Sequence, residues 1–323
     1  MTDADLISMA IEKRAHLFND SSLDSFRLFN SSGDGLDGLT IDLYGEYLLV
    51  QFFYDELFRS ERKNAIVHAV RRGALSLPVS IKGILLKNRC KAGDGDDITD
   101  LRRSILLEGD PPPRDYPVMQ NGIKIAVDLV ESQNTGLFMD MREARDRLKG
   151  LYDGMESLLN MFCYTGAFSV HARTHGCGAA LNVDISRPAL NRAKYNYELN
   201  GIVAVGRDFI CDDSFRWMSY AVRKKMKFSM IIFDPPTFSR NKKKTFSIKK
   251  NYREALERLT PLAPDGFAFT SINSESATEG DYVAYHPRGW KRIFYVNESS
   301  DFAYKNRPYL KAGLWRIEEY PGR

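Results

Sequence analysis

Apolar and polar positions along the chain change period repeatedly, and each change marks an element. In residues 1–19, Leu6, Met9, Ala10 and Leu17 fall at helical intervals. Residues 26–29, 38–43 and 46–53 then read as short strands, punctuated by Ser31-Ser32-Gly33-Asp34-Gly35 and by Tyr44-Gly45. Helical spacing returns over residues 56–73, and residues 80–88 read as a further strand. Residues 91–100, rich in Gly and Asp, read as a loop. Gly109-Asp110-Pro111-Pro112-Pro113-Arg114-Asp115 continues neither a helix nor a central strand, because proline fixes φ and lacks the amide donor. The domain boundary is placed there, with a small α+β domain over residues 1–115 and a second domain over residues 116–323.

The second domain has a different rhythm. Residues 118–127 form two alternating apolar runs around Asn121-Gly122, a strong short-range hairpin signal. Gln133-Asn134-Thr135-Gly136-Leu137-Phe138-Met139-Asp140-Met141-Arg142 is a polar turn leading into a helix that runs to about residue 152. Asp140 and Arg142 read equally well as helix-face residues and as the rim of a site. Then an apolar run from Leu158 stops at the turn Phe162-Cys163-Tyr164-Thr165-Gly166 and restarts as a helix over residues 167–174. Strand and helix go on alternating: strands at 179–184, 205–210, 230–233 and 269–274, with helices at 186–199 and after Ser214. Such alternation predicts an α/β, Rossmann-like, doubly wound and mainly parallel sheet, with its ligands across the carboxyl ends of the strands.

Composition narrows the class. No apolar stretch reaches the roughly 18 residues needed to span a bilayer, and residues 1–18 carry charges where a signal peptide has its apolar core. The expectation is a cytoplasmic protein without membrane association. Cys90, Cys163, Cys177 and Cys211 show no C-x-x-C spacing, and His171 and His175, four apart on a helix, read as packing or surface residues, so no metal is expected. Charge is unevenly spread. Residues 214–250 hold eleven Lys and Arg against the single acid Asp234, a net +10 within a chain of net +4. Arg240, Lys242, Lys243, Lys244, Lys249 and Lys250 form the densest part, the footprint expected for a phosphate-rich partner.

Three strands end in acids. Asp184 follows the second strand, eighteen residues beyond Gly166, where a carboxylate accepts hydrogen bonds from the two hydroxyls of a ribose. Ser186 can cap the next helix and leave Asp184 free. Asp213, after the third strand, is placed either to accept an adenine amine or to cap the Ser214 helix. The fourth strand ends in Asp234-Pro235-Pro236-Thr237-Phe238, a rigid extended turn facing the cleft. The turn at residues 162–166 has no G-x-G-x-x-G, which argues against a nicotinamide dinucleotide.

Together Phe162-x-Tyr164-Thr165-Gly166, Asp184, Asp213 and Asp234-Pro235-Pro236-Thr237-Phe238 resemble class I S-adenosylmethionine-dependent methyltransferases. With residues 133–142 added, the chain is similar to the bacterial large-subunit (23S) ribosomal RNA enzymes that make 5-methylcytosine or 7-methylguanine. Phe29-Asn30-x-x-Gly33-Asp34-Gly35-Leu36-x-Gly38-Leu39-x-Ile41-Asp42-x-Tyr44-Gly45 resembles the small domain preceding the catalytic domain in the cytosine branch. The resemblance implies S-adenosylmethionine held by Phe162, Tyr164, Thr165 and Gly166, with Asp184 on the ribose, Asp213 near the adenine, and Ile185 and Asp234 also among the cofactor-binding residues. It also implies that Asp234, Pro235, Phe238 and Asn273 form the target-base pocket.

Three departures from that branch bear on function. No RNA-binding module of the PUA type is read before Asp24, so RNA is expected on residues 240–250. Only a short helix fits between Ser274 and Trp290, which suggests an abbreviated sheet edge after the fifth strand. And the cytosine branch carries a thiol at the end of strand five, where this chain has Phe269-Thr270-Ser271-Ile272-Asn273-Ser274 and no later cysteine. Methylating carbon five of a pyrimidine normally needs that thiolate to activate the ring, whereas a nitrogen already has its lone pair. The expected function is therefore methylation of a guanine nitrogen in large-subunit ribosomal RNA or its precursor particle. A cytosine enzyme with an atypical site and an inactive RNA-binding or assembly protein of the same fold are the alternatives. Nothing in the sequence sets an oligomeric state.

Overall fold

The computed structural model describes residues 1–90, 103–241 and 244–318, with backbone alone at 238–241, 244–247, 249 and 250. Two compact units result: Met1–Arg142 with Ser299–Asn306, and Glu143–Glu298 with Arg307–Arg323. The boundary read at 115/116 thus differs from this division, in which the 116–127 hairpin and residues 133–142 belong to the first unit. The loop read at residues 91–100 lies outside the described residues.

In the first unit, helix α1 (Asp3–Lys13) starts from a reciprocal capping box between Thr2 and Asp5. Strands β1 (Ser25–Asn30), β2 (Leu39–Tyr44), β3 (Tyr47–Phe52), β4 (Gly83–Asn88) and β5 (Ser104–Gly109) form one sheet in sequence order. Only β3 and β4 are parallel, and the crossover between them carries α2 (Asp55–Phe58) and α3 (Arg62–Ala74). One helix was expected over residues 56–73. It is interrupted between Phe58 and Arg62, where the Ser60 hydroxyl donates to the Leu57 carbonyl. Phe26, Leu28, Phe29, Ile41, Val50 and Ile66 make the core. The hairpin β6 (Tyr116–Gln120) and β7 (Ile123–Val127) turns at Asn121 (φ 54°) and Gly122 (φ 74°), both left-handed as a type I′ turn demands.

Residues 299–306 are built into this unit by buried charge. Asp301, 1% exposed, accepts from the Arg142 guanidinium at 2.9 Å and from the Arg27 amide at 2.8 Å. Arg14 donates to the Asp301 carbonyl at 2.6 Å while pairing with Asp34 at 2.7 Å. Paired and hydrogen-bonded in this way, the charges are tolerable inside, and removing one partner would strand the others. Arg142 is thus engaged by Asp301. Gly33 admits the segment, since a Cβ there would lie 2.0 Å from the Ala303 carbonyl oxygen.

The second unit begins one residue into α4 (Arg142–Leu148) and continues as β8 (Ser157–Met161), α5 (Ala167–Thr174), β9 (Ala179–Asp184), α6 (Arg187–Leu199), β10 (Phe209–Cys211), α7 (Ser214–Arg223) and β11 (Met230–Phe233). The hairpin β12 (Phe238–Asn241) and β13 (Lys244–Ser247) follows, then α8 (Ile248–Leu259), β14 (Phe267–Asn273), α9 (Glu279–Ala284), β15 (Trp290–Val296) and β16 (Leu310–Ile317). The third strand begins at Phe209, later than expected, because residues 206–208 form a 3₁₀ turn. The seven-stranded sheet runs β10-β9-β8-β11-β14-β16-β15. From β10 to β14 it is parallel, and β16 and β15 add antiparallel. The edge beyond the fifth strand is thus not abbreviated as the sequence suggested; the distal stretch 290–317 supplies two long strands.

This order places the ligand cleft. Right-handed crossovers carry the chain from β8 outward through α5 and α6, and then, on the opposite side of β8, through α7 and α8. The helices therefore cover opposite faces, and accordingly α5 packs on α6 and α7 on α8. The reversal falls between β8 and β11, whose carboxyl ends frame the crevice of a doubly wound sheet.

Candidate active site

The turn after β8 is shaped by backbone conformation. Phe162 (φ 57°), Tyr164 (φ 50°) and Gly166 (φ 78°) are all left-handed, which costs the two non-glycine residues about 1 kcal/mol or more each. Hydrogen bonds hold the turn in place. The Phe162 amide donates to Ser214 Oγ at 3.3 Å, the Cys163 amide to the Val183 carbonyl at 3.1 Å, and the Tyr164 amide to Asp184 Oδ2 at 2.9 Å. Asn196 Nδ2 on α6 donates to the Thr165 carbonyl at 2.9 Å. At Gly166 a Cβ would sit 3.1 Å from that of Ala193, so the absence of a side chain lets α6 close on the turn. The Phe162 ring packs inward against Phe215 and Phe233, and what it lends the turn is its backbone.

Asp184 ends β9 half-buried, with its second oxygen accepting the Ser186 amide at 2.8 Å. Ser186 in turn caps α6 by accepting from the Ala189 amide at 3.3 Å, as anticipated from the sequence, but Asp184 is not left free by it, since it accepts the Tyr164 and Ser186 amides. Turn and acid are thus one hydrogen-bonded unit, and the two carboxylate oxygens keep further acceptor capacity. Beside them Ile185 is 66% exposed, a large apolar side chain at a strand tip. This set fits a nucleoside: an acid for ribose hydroxyls, an apolar face for a base, and a tight turn for close approach. Asp213 caps α7, its Oδ1 accepting from the Arg216 amide at 2.9 Å, which fulfils one of the two roles the sequence offered and does not exclude the other. Burial and then the Asp184 carboxylate push the Cys163 thiol well above its ordinary range, and thiolate chemistry in the turn is disfavoured.

Across the switch point, β11 delivers Asp234 next to β14. Ser271 Oγ, fully buried, donates to Asp234 Oδ1. Thr237 Oγ1 donates to the Asn273 carbonyl at 2.6 Å, fastening the Asp234-Pro235-Pro236-Thr237 turn to the end of β14. Pro235 is buried and Asn273 exposed. Behind the strand, Tyr252 Oη donates to the Ser271 carbonyl at 2.9 Å. Phe238 begins β12, Arg240 and Lys244 belong to the backbone of the β12–β13 hairpin, and Lys249 and Lys250 start α8. Lys242 and Lys243 lie outside the described residues. Sequence reasoning missed Ser214, Asn196, Thr237 and Ser271 as partners. Only Thr270-Ser271, hydroxyls inside an apolar strand, carried a signal. Among the described residues no group of three or more His, Cys, Asp and Glu could hold a metal, and no helix is long and apolar enough to cross a membrane.

Residues 82–296, more than half the chain, match the family described as S-adenosylmethionine-dependent methyltransferase. YwbD of Bacillus subtilis, named as a candidate ribosomal RNA large subunit methyltransferase, is 33% identical over 277 residues, covering 84% of this chain and 66% of its own length. Ribosomal RNA large subunit methyltransferase I of Photobacterium profundum is 30% identical over 255 residues, covering 77% of this chain and 60% of its own. The chain therefore spans somewhat less than two thirds of these relatives. Among solved structures, SMU.776, described as a candidate methyltransferase complexed with SAH, superposes with a TM-score of 0.86 at 26% identity, over 98% of this chain and 81% of that one. With the turn, the strand-end acids and the sheet order already in place, these matches identify the chain as a member of the S-adenosylmethionine-dependent methyltransferase family.

Proposed function

We propose that the chain transfers a methyl group from S-adenosylmethionine to a guanine nitrogen of large-subunit ribosomal RNA. The large-subunit ribosomal RNA methyltransferases among its relatives support the substrate class. In this reading Phe162, Tyr164, Thr165 and Gly166 hold the cofactor's amino-acid end, Asp184 its ribose, and Ile185 and Asp213 its adenine. When bound, the cofactor supplies an electrophilic methyl on a sulfonium. Asp234, held by Ser271, or the exposed Asn273 reads the edge of the base, Phe238 stacks on it, and Pro235 completes the pocket, so that positioning alone serves the transfer. Arg240, Lys242, Lys243, Lys244, Lys249 and Lys250 carry the RNA backbone.

The choice of nitrogen over carbon rests on one observation. The tip of β14 beside Asp234 carries Ser271 and Asn273, while Cys163 is buried in the turn after β8, Cys177 is buried ahead of β9 and Cys211 lies at the end of β10. A direct in-line transfer to a lone pair needs only positioning groups of that kind. The test is mass spectrometry of large-subunit ribosomal RNA after incubation with the chain and isotopically labelled S-adenosylmethionine. Labelled methylguanine is expected. Labelled 5-methylcytosine would refute the chemical argument, and RNA binding without transfer would favour an assembly role.

A further inference from the structure

Lys311 lies on β16 and is 2% exposed, yet its ammonium meets two neutral groups at the rim of the proposed target pocket: Nζ donates to the carbonyls of Ser274 and Pro308, each at 2.6 Å. The sheet ladder ends one residue earlier, where Asn273 pairs with Leu310. Ser274, past that last pair, is held by its amide on the Tyr309 carbonyl at 2.7 Å and by Lys311 on its own carbonyl. Glu298, 6% exposed, steadies the facing chain by accepting from the Tyr309 amide at 3.2 Å and the Leu310 amide at 3.1 Å. Burial is the main influence lowering the Lys311 ammonium from its ordinary range, with the Glu298 and Glu275 carboxylates opposing it.

A methionine or leucine would fill this space without the cost of burying a charge. What the ammonium adds is direction, since its donors reach two carbonyls that no ladder aligns. We propose that Lys311 is a positioning residue, locking the turn after β14 so that Asn273 keeps its register with Thr237 and hence with Asp234. The inference rests on the reading of Asp234 and Asn273 as the target-base pocket. A loop staple of no consequence for the reaction would lie anywhere along a turn. This one closes a chain of bonds running from Lys311 through Ser274 and Asn273 to Thr237.

The test uses the full chain and K311M, which removes the donors and keeps the volume, with K311R as a charged variant that retains a donor set if K311M folds poorly. Hydrogen exchange over residues 273–276, without RNA, is expected to accelerate tenfold or more in K311M and less in K311R. S-adenosylmethionine affinity should stay within twofold. On large-subunit ribosomal RNA, kcat should fall tenfold or more while KM for RNA changes less than threefold. Unaltered exchange, or faster exchange with unchanged kcat, overturns the proposal, as does a loss of cofactor affinity parallel to the loss of kcat. Absence of transfer by the unsubstituted chain would instead sink the functional reading and the catalytic half of this proposal. The exchange measurement would then still decide whether Lys311 holds the turn.

Discussion

Replacing Asp184 by alanine tests the centre of the cofactor reading. Its carboxylate accepts two backbone amides, Tyr164 at 2.9 Å and Ser186 at 2.8 Å. Hydrogen bonds to an ionised acceptor contribute about 1.5–3 kcal/mol each. The group is half-buried, so water replaces part of what is lost, and the lower end, about 3 kcal/mol for the pair, is the working figure. For a unit of this size that corresponds to a fall in Tm of about 6–12 °C. If the same carboxylate also takes two ribose hydroxyls, binding loses a further ~3 kcal/mol, roughly a hundredfold in Kd. Asp184→Asn keeps one acceptor oxygen and should fall between, at about tenfold. Titration calorimetry with S-adenosylmethionine and with SAH, beside scanning calorimetry of the free protein, separates the two contributions. A lowered Tm with Kd within threefold of the unsubstituted chain would show that the acid shapes the turn and does not meet the ribose. No change in either would refute the geometry itself.

Other perturbations reach different parts of the molecule. Gly33→Ala forces a Cβ to within 2.0 Å of the Ala303 carbonyl, and it should destabilise the first unit by about 1–3 kcal/mol or more, read as a lower denaturation midpoint. Reversing Lys242, Lys243 and Lys244 to Glu should weaken RNA binding and flatten its dependence on salt while cofactor affinity holds; a filter-binding series from about 50 to 200 mM salt checks this against about 0.7–0.9 ion per lost phosphate contact. Burial raises the Asp24 carboxyl to about 6, with the Met119 and Asp24 amides opposing. A folded-state pKa above the unfolded one means that this group's stabilising contribution is complete below about 3.8 and lost as pH rises through about 6. Asp24→Asn should remove that slope and raise stability at pH 8 by about 1–2 kcal/mol, allowing for partial exposure; equal urea midpoints for both proteins across pH 4–8 would contradict it.

The elements legible in the sequence are those whose signal is local. Strands β8, β9 and β11 emerge from short apolar runs, the β6–β7 hairpin from Asn121-Gly122, and the start of α6 from Ser186 and Pro188. Elsewhere the local signal is weak. β5 exposes Ile105 and Leu106 at a sheet edge and shows no clean alternation. β15 is bulged between Arg292 and Phe294, which breaks its period of two, and β16 is buried on both faces.

The site divides in the same way. A strand-end acid and a tight turn are written in consecutive residues, so Asp184 and residues 162–166 are identifiable from the order of amino acids alone. That Asp184 also accepts the Tyr164 amide was not, because the bond joins two different strand ends. Ser271 on Asp234, Lys311 on Ser274 and Asp301 on Arg142 join residues 37, 37 and 159 positions apart. Periodicity and turn chemistry reach only a few residues along the chain. Which buried charge meets which partner, and where the chain returns to the first unit at residues 299–306, is decided by sheet order and by the need to satisfy every buried polar group. The sequence by itself thus determined β8, β9 and β11, the turn and the strand-end acids proposed for the cofactor; the tertiary structure alone decided what holds them in place.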